Sequence, residues 1–522
     1  MRNITLIHGP AVKLSIDGRN LGAVRTHFPK ISQLMLAAII EKTFPEINVR
    51  IVDMKTLGNE EVKYKEIKYG SRTIEAHQVG MPFAEVADTI ASSDALIFTN
   101  NFTQEAEVIG NLIEFAKQVN PKVKVWIGGS DAMVQRAEVD RQHYFHSRGA
   151  DYVSSGDGEL TLPDLIRGHL EKQAPVLTDF DRVPDPALHL VNLADYTESH
   201  EGGLPAGITP PLMYVETSRG CRQSCDFCST PFTKGRYRYM SEERIEHALN
   251  QFHDFGIRTL LLIEDNILSR LDLPEGRDEV LRWFRSMFQQ RFVWEFANGV
   301  EIGKLEKNGV LDEELIEAMF QYDGRAGCYR SYIPLERIDA SELPYRKLKA
   351  FDVEKGILLS IAQKGVALLN LGVIIGNPAE NFKSLSRTED RMLELKNEIL
   401  DLTGGRTYPF ANFFLHIPIC GTNDYRRFHK EGRLAFDIDT NPELYNFYTS
   451  ILRGDEFSFD ELTEIRKDMA ARVNGQELME IWNQGGKYYL DSFQKAPIDA
   501  LPLQSAAACT KNHVNPDNRV IL

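Results

Sequence analysis

Three of the six cysteines stand within eight residues, in the run Thr217-Ser-Arg-Gly-Cys221-Arg-Gln-Ser-Cys225-Asp-Phe-Cys228. A four-residue and then a three-residue step puts three thiolates on one tight loop. Cys221, Cys225 and Cys228 can thus hold three corners of an iron–sulfur cube and leave one iron without a protein ligand. Zinc is the alternative chemistry for clustered thiols. A structural zinc site takes four ligands, however, and no Cys or His follows Cys228 within fifteen residues. So few cysteines in 522 residues do not make a disulfide framework.

Such a loop needs a strand to lead into it, and the pattern supplies one at 213–217. Five more apolar runs follow at 259–263, 293–296, 328–335, 366–375 and 412–417, with helical spacing between them. One of those helices starts behind a Ser241 cap and presents Ile245, Leu249 and Phe252. Six βα units predict a partial (βα)6 barrel of the TIM type, with its chemistry at the carboxyl ends of the strands. Before it, short strands at 4–8, 49–52, 95–99, 123–127 and 151–154 alternate with helices, one of them capped by Thr103. The pattern predicts a doubly wound, Rossmann-like α/β domain. A stretch rich in proline and glycine separates the two and reads as an extended connector. The expected organisation is 1–170 for the first domain, 171–210 for the linker, 211–422 for the barrel, and 423–522 for a small, mainly helical cap.

In a parallel sheet ligands sit beyond the carboxyl ends of the strands. Here those ends carry His8, then Asn100, Asn101 and Phe102, then Gly128, Gly129 and Ser130, then Gly156, Gly158 and Glu159. Small, polar residues at several ends form an open shelf with exposed backbone donors, suited to a large polar ligand. Taken singly, a glycine after a strand is simply a turn residue.

The cysteine motif, with Phe227 just before its last cysteine, resembles the signature of the radical SAM superfamily. The resemblance continues along the barrel. Ile263-Glu264-Asp265-Asn266 is similar to the acidic loop that holds the amino group of S-adenosylmethionine (SAM), and Asn298-Gly299 to an Asn-Gly turn common in this group. Glu336 falls in a segment similar to the ribose-contacting one. The loop from Gly376 to Asn381 departs from the usual Gly-x-Pro-Gly-Glu-Thr at two positions. The run His416 to Thr422 has Cys420 where proline would stand. The resemblance implies a [4Fe–4S] cluster and SAM, with Phe227, Glu264, Asp265, Asn298, Glu336 and Gly376 toward the latter.

A doubly wound domain ahead of such a barrel resembles the cobalamin-binding class of these enzymes. The shelf residues, His8 included, are then expected to face a corrinoid. None of the thirteen histidines lies in the Asp-x-His-x-x-Gly pattern that supplies a lower cobalt ligand in many cobalamin proteins. The class implies a methyltransferase that uses cobalamin and a 5′-deoxyadenosyl radical to methylate an unactivated carbon. A cyclisation, ring rearrangement or oxidation with the same cofactors is the alternative, and a non-catalytic carrier or sensor a lesser one. No side chain stands out in the sequence as the catalytic acid or base.

Composition limits the partners. A formal charge of −15 argues against nucleic acid and anionic membranes. The longest apolar run, 366–376, is short of the roughly 18 to 20 residues a membrane helix requires. No signal-peptide pattern opens the chain, so a cytoplasmic location is expected. The expected partners are a small-molecule or peptide substrate and an external electron donor such as flavodoxin or ferredoxin. Substrate identity is expected to reside in the tail, where Tyr425, Tyr445, Phe447, Tyr448, Trp482, Tyr488 and Tyr489 could either wall a pocket or form the core of a small helical cap.

Overall fold

The computed structural model describes residues 1–23, 28–169, 175–196, 211–338 and 350–475. Its amino-terminal strands are β1 (Asn3–His8), β2 (Ala11–Ile16), β3 (Arg19–Ala23), β4 (Asn48–Asp53), β5 (Glu60–Tyr69), β6 (Arg72–Gly80), β7 (Ala95–Thr99), β8 (Lys124–Gly128) and β9 (Tyr152–Val153). Five of them form a parallel sheet in the order β9-β8-β7-β1-β4. Alternate residues of each strand point to opposite faces. Leu96 and Phe98 meet Ile109, Leu112 and Ile113 of the helix Ala106–Val119. Ala95 and Ile97 share the other face with Ala37 and Ile40 of the helix Ile31–Thr43. The sheet is therefore doubly wound, and the strand order reverses between β1 and β7. Thr103 does not cap the helix after β7: it lies in a short 3-10 turn, Thr103–Glu105, and its hydroxyl donates to Asp131 at 2.6 Å.

The other four strands form a separate antiparallel sheet, β3-β2-β6-β5, that the sequence reading did not anticipate. It docks on the carboxyl-terminal segment. The Tyr69 hydroxyl donates to the Ser450 carbonyl at 2.7 Å and lies 2.6 Å from the Thr463 hydroxyl, while Lys65 reaches Glu443 at 3.0 Å.

The barrel strands are β10 (Leu212–Val215), β11 (Thr259–Leu262), β12 (Val293–Phe296), β13 (Gly327–Glu336), β14 (Leu368–Ile375) and β15 (Tyr408–Leu415). They pair in chain order, all parallel, as one open six-stranded sheet. The expected Ser241 cap is present, its hydroxyl accepting from the Arg244 N–H at 3.2 Å. An open barrel has two edges to protect. Beyond β15 the helix Phe459–Asn474 supplies Asn474, whose side chain accepts from the Ala411 N–H and donates to its carbonyl, both at 2.9 Å. At the other edge Phe28 packs edge-on against Tyr214, ring centroids 4.4 Å apart. Outward-facing strand residues such as Leu260, Trp294, Leu371 and Phe413 are buried under the helices. Tyr214, Arg330, Tyr332, Pro334, Ile374 and Phe414 keep partial exposure at alternating positions, so the barrel has an accessible lumen.

The described part of the connector, 175–196, is not extended. Phe180, Val183, Leu188 and Tyr196 are buried, and three short 3-10 turns fold the strap onto both domains. After the barrel come the helix Asn423–Lys430, capped by Thr422, and the helix Phe459–Asn474 with its Ser458/Glu461 capping box. Trp482, Tyr488 and Tyr489 lie outside the described residues.

Candidate functional site

β10 ends at Val215 and the chain turns into the cysteine loop. Cys221, Cys225 and Cys228 are all half-buried and none of them is in a disulfide. Two N–H groups point at the Cys221 sulfur: the Gln223 backbone at 3.4 Å and the Asn266 amide at 3.5 Å. Such donors would support a sulfur that ligates iron. Glu301 holds both residues in place, accepting from Gln223 at 2.7 Å and from Asn266 at 2.6 Å. Gln223, Asn266 and Glu301 were not singled out in the sequence, although Asn266 closes the acidic motif and Glu301 lies three residues past Asn298. Among the described residues no three His, Cys, Asp or Glu side chains converge as ligands of a single ion would. Ligands of an iron–sulfur cube sit on different irons and stand farther apart than ligands of one ion. The donor chemistry fits a cluster.

The residues expected to face SAM are placed differently from one another. Glu264 is buried under the cysteine loop, accepting from the Thr217 N–H at 3.2 Å and its hydroxyl at 2.7 Å. Burial pushes its carboxyl up to about 7, with the Thr217 contacts holding it back. Glu264 therefore shapes the loop through one of its oxygens. Asp265 is half-buried and accepts from the Gly220 N–H at 2.7 Å and the Thr230 hydroxyl at 3.3 Å, so it too is engaged by the loop. Asn298 is exposed, its amide donating to the Ile263 carbonyl at 2.6 Å. Phe227 is half-buried between two of the cysteines. Glu336 is buried at the end of β13 in a left-handed conformation, φ +56°. The N–H groups of Gly376 and Asn377 both donate to the Glu380 carboxylate, which Arg337 reaches at 3.3 Å. That buried pair fixes the loop after β14.

On the amino-terminal domain the shelf is open over only part of its expected width. His8 lies beneath it, 6% exposed, with Nδ1 3.0 Å from Asp53. Burial, then the nearby Lys30, lowers its pKa and keeps the ring neutral. Asn100 is fully buried and donates to Asp131 at 2.9 Å, while its Oδ1 has no partner. Asn101 accepts from the Ser130 N–H at 3.1 Å, and Phe102 is exposed. Gly129 takes φ +111°, and a Cβ there would lie 2.3 Å from the Asn100 carbonyl oxygen. Gly128 flanks it with room for a side chain. These loops flank the crevice where the strand order reverses, the usual place for a ligand on such a sheet. An orphaned amide oxygen, an exposed aromatic ring and a side-chain-free backbone there fit a broad ligand with amide arms.

The third loop is closed. A Cβ on Gly156 would lie 2.5 Å from the Pro175 ring of the connector, and Gly158 backs onto Leu36. Glu159 and Asp157 point at the barrel instead. Arg219, two residues before Cys221, reaches Asp157 at 2.8 Å, Glu159 at 2.9 Å and Glu216 at 2.8 Å, and Arg238 also grips Asp157. Arg219 is thus a buried latch that holds the cysteine loop and the shelf face to face. No spacing rule in the sequence marks a pair so distant in the chain.

With the geometry in place, comparison with known proteins is informative. The family model described as Radical SAM superfamily matches residues 215–349. Cytidylyl-2-hydroxyethylphosphonate methyltransferase of Streptomyces wedmorensis is 21% identical over 468 residues, 78% of this chain and 79% of that enzyme. The structure of the cobalamin-dependent S-adenosylmethionine radical enzyme OxsB, with aqua-cobalamin and S-adenosylmethionine bound, is similar with a TM-score of 0.62 and 14% identity. It covers 93% of this chain and 68% of that one. TsrM from Kitasatospora setae, a radical S-adenosylmethionine methyltransferase with tryptophan substrate and a SAM analog bound, gives 0.57 at 13% identity, over 84% of this chain and 78% of that one. The α/β fold, with both of its parallel sheets, is the one those structures have.

Proposed function

We propose, from the match of residues 215–349 to the radical SAM superfamily, that the chain is a cobalamin-dependent methyltransferase acting on an unactivated carbon of a small-molecule or peptide substrate. The observation that carries the reading is the Arg219 latch. It holds the triple-cysteine loop of the barrel against the domain whose open crevice suits a corrinoid. Its relative of known name over most of its length is also a methyltransferase. When bound, the cluster, SAM and cobalamin supply a 5′-deoxyadenosyl radical and a transferable methyl group.

The chain's own residues bind and position. Cys221, Cys225 and Cys228 would hold the cluster, and the N–H groups of Gln223 and Asn266 would support Cys221. Asn101, Phe102, Gly128, Gly129 and Ser130 would receive the corrinoid, with His8 and Asn100 beneath them. Glu336 and Gly376, at the ends of β13 and β14, would border SAM. Electrons would come from an external donor such as flavodoxin or ferredoxin. Among the described residues no helix is long and apolar enough to cross a membrane.

The test incubates anaerobically reconstituted protein, with reductant and a metabolite extract, with methyl-labelled SAM. The expected result is label in a product, with S-adenosylhomocysteine and 5′-deoxyadenosine both formed, and neither formed by the triple Cys→Ala variant. An unlabelled product accompanied by 5′-deoxyadenosine alone would move the chain to the rearranging or oxidising enzymes of this class.

A further inference from the structure

Six arginines of the described chain are buried to less than a tenth of their surface. Five have a carboxylate partner: Arg141 with Asp131, Arg219 with Asp157, Arg238 with Asp157, Arg270 with Glu279, and Arg337 with Glu380. Arg466, on the helix Phe459–Asn474, is the exception. It is 8% exposed, makes no ion pair or hydrogen bond among the described residues, and has its Nε enclosed without an acceptor. Its nearest carboxylate, Glu464, is turned to Arg72 at 2.7 Å and to Lys467 at 3.2 Å. What it has is one aromatic face, with its guanidinium carbon 5.2 Å from the centre of the Tyr448 ring. A ring face returns only part of what a guanidinium loses on leaving water, and burial lowers the pKa of Arg466 accordingly.

Tyr448 places this cation. It is half-buried, its ring lies 6.2 Å from that of Phe414, and Phe414 in turn lies 6.1 Å from Tyr332, both of them lumen-facing. The Tyr448 hydroxyl lies within the field of both Arg466 and Arg330, and Tyr332 within that of both Glu336 and Tyr448. Arg466 therefore stands behind Tyr448 in the wall of the barrel lumen, on the carboxyl-terminal helix, with Arg330 also near Tyr448.

We propose that Arg466, backed by Tyr448 and Arg330, is an oxyanion subsite of the barrel lumen, and that the substrate carries a carboxylate or a phosphoryl or phosphonyl group that docks there. An anion supplies the guanidinium with the carboxylate-like partner that every other buried arginine among the described residues already has. It also fixes one end of the substrate while its reacting carbon faces the cysteine loop. The role as a substrate site rests on the methyltransferase reading, whereas the binding of an anion does not.

The experiment is therefore read without turnover. Thermal unfolding of the anaerobically purified protein is followed in sodium phosphate, in sodium acetate, and in sodium chloride at matched ionic strength. Phosphate or acetate should raise the midpoint over chloride, and the stronger of the two arms assigns the group as phosphoryl-like or carboxylate. Arg466→Met should raise the midpoint in chloride, because an uncompensated buried charge is gone, and should weaken anion binding by roughly tenfold or more. Arg466→Lys should keep a reduced response. The proposal is overturned by a wild-type midpoint equal in all three salts, by an unchanged response in Arg466→Met, or by an Arg466→Met protein that unfolds earlier or fails to fold. Loss of methyl labelling with the anion response intact would instead remove the methyltransferase reading and leave the subsite standing.

Discussion

Replacing Arg219 by methionine should cost about 3 to 5 kcal/mol of stability, because it breaks a buried ion network from one side. The figure follows from what is left behind. Asp157 keeps Arg238, but Glu159 and Glu216, whose side chains are 10% and 13% exposed, lose their shared guanidinium. Burial alone would push Asp157 and Glu216 up, and Arg219, joined at Asp157 by Arg238 and the Leu177 N–H, outweighs it and holds both below the ordinary carboxylate range. Groups with depressed folded pKa values contribute stability that is present above their unfolded values and lost as pH falls through the folded ones. The deficit of Arg219→Met should therefore be full at neutral pH and shrink below about pH 4. The assay is anaerobic urea unfolding, followed by intrinsic fluorescence at several pH values. Adding Glu159→Gln and Glu216→Gln to Arg219→Met should recover most of the loss, since neutral amides carry no uncompensated charge. A neutral-pH loss below about 1 kcal/mol, the scale of an exposed pair, would refute the latch. So would a deficit that persists undiminished in acid.

Glu264 titrates in the opposite sense. Its folded pKa is raised from 4.5 to about 7, so it weakens the fold progressively as pH climbs through that window, by about 3 kcal/mol at the top. Glu264→Gln, which keeps the acceptor for Thr217, should be more stable than wild type above pH 7 and equal to it near pH 4, as denaturant midpoints would show. Gly129→Ala puts a methyl group 2.3 Å from the Asn100 carbonyl oxygen at a positive φ. It should cost about 2 kcal/mol or more and abolish retention of hydroxocobalamin on gel filtration, with iron content unchanged.

The parallel sheets were legible because buried strands read as apolar runs and their ends as glycine, asparagine and serine. The antiparallel sheet was not, because β5 is largely exposed and its apolar alternation, Val62 and Tyr64 and then Ile67 and Tyr69, slips by one residue near a register shift between Lys63 and Lys65. One local signal was available. Asp17 and Gly18 both adopt positive φ between β2 and β3, the turn that an Asp-Gly pair makes in a tight hairpin. For the site, local chemistry was legible and distant pairing was not. The three cysteines announce their loop, yet whether a glycine after a strand is open depends on what lies over it. Pro175 closes Gly156 and nothing comparable closes Gly128, although the residue type is the same. The same limit explains Glu264. A carboxylate after a barrel strand looks like a ligand contact until the fold shows it buried, with one oxygen accepting from both the Thr217 N–H and hydroxyl. Arg466 is the reverse case. It reads as an ordinary helix charge, and only the inventory of partners around it shows a buried cation with an aromatic face and no carboxylate partner among the described residues.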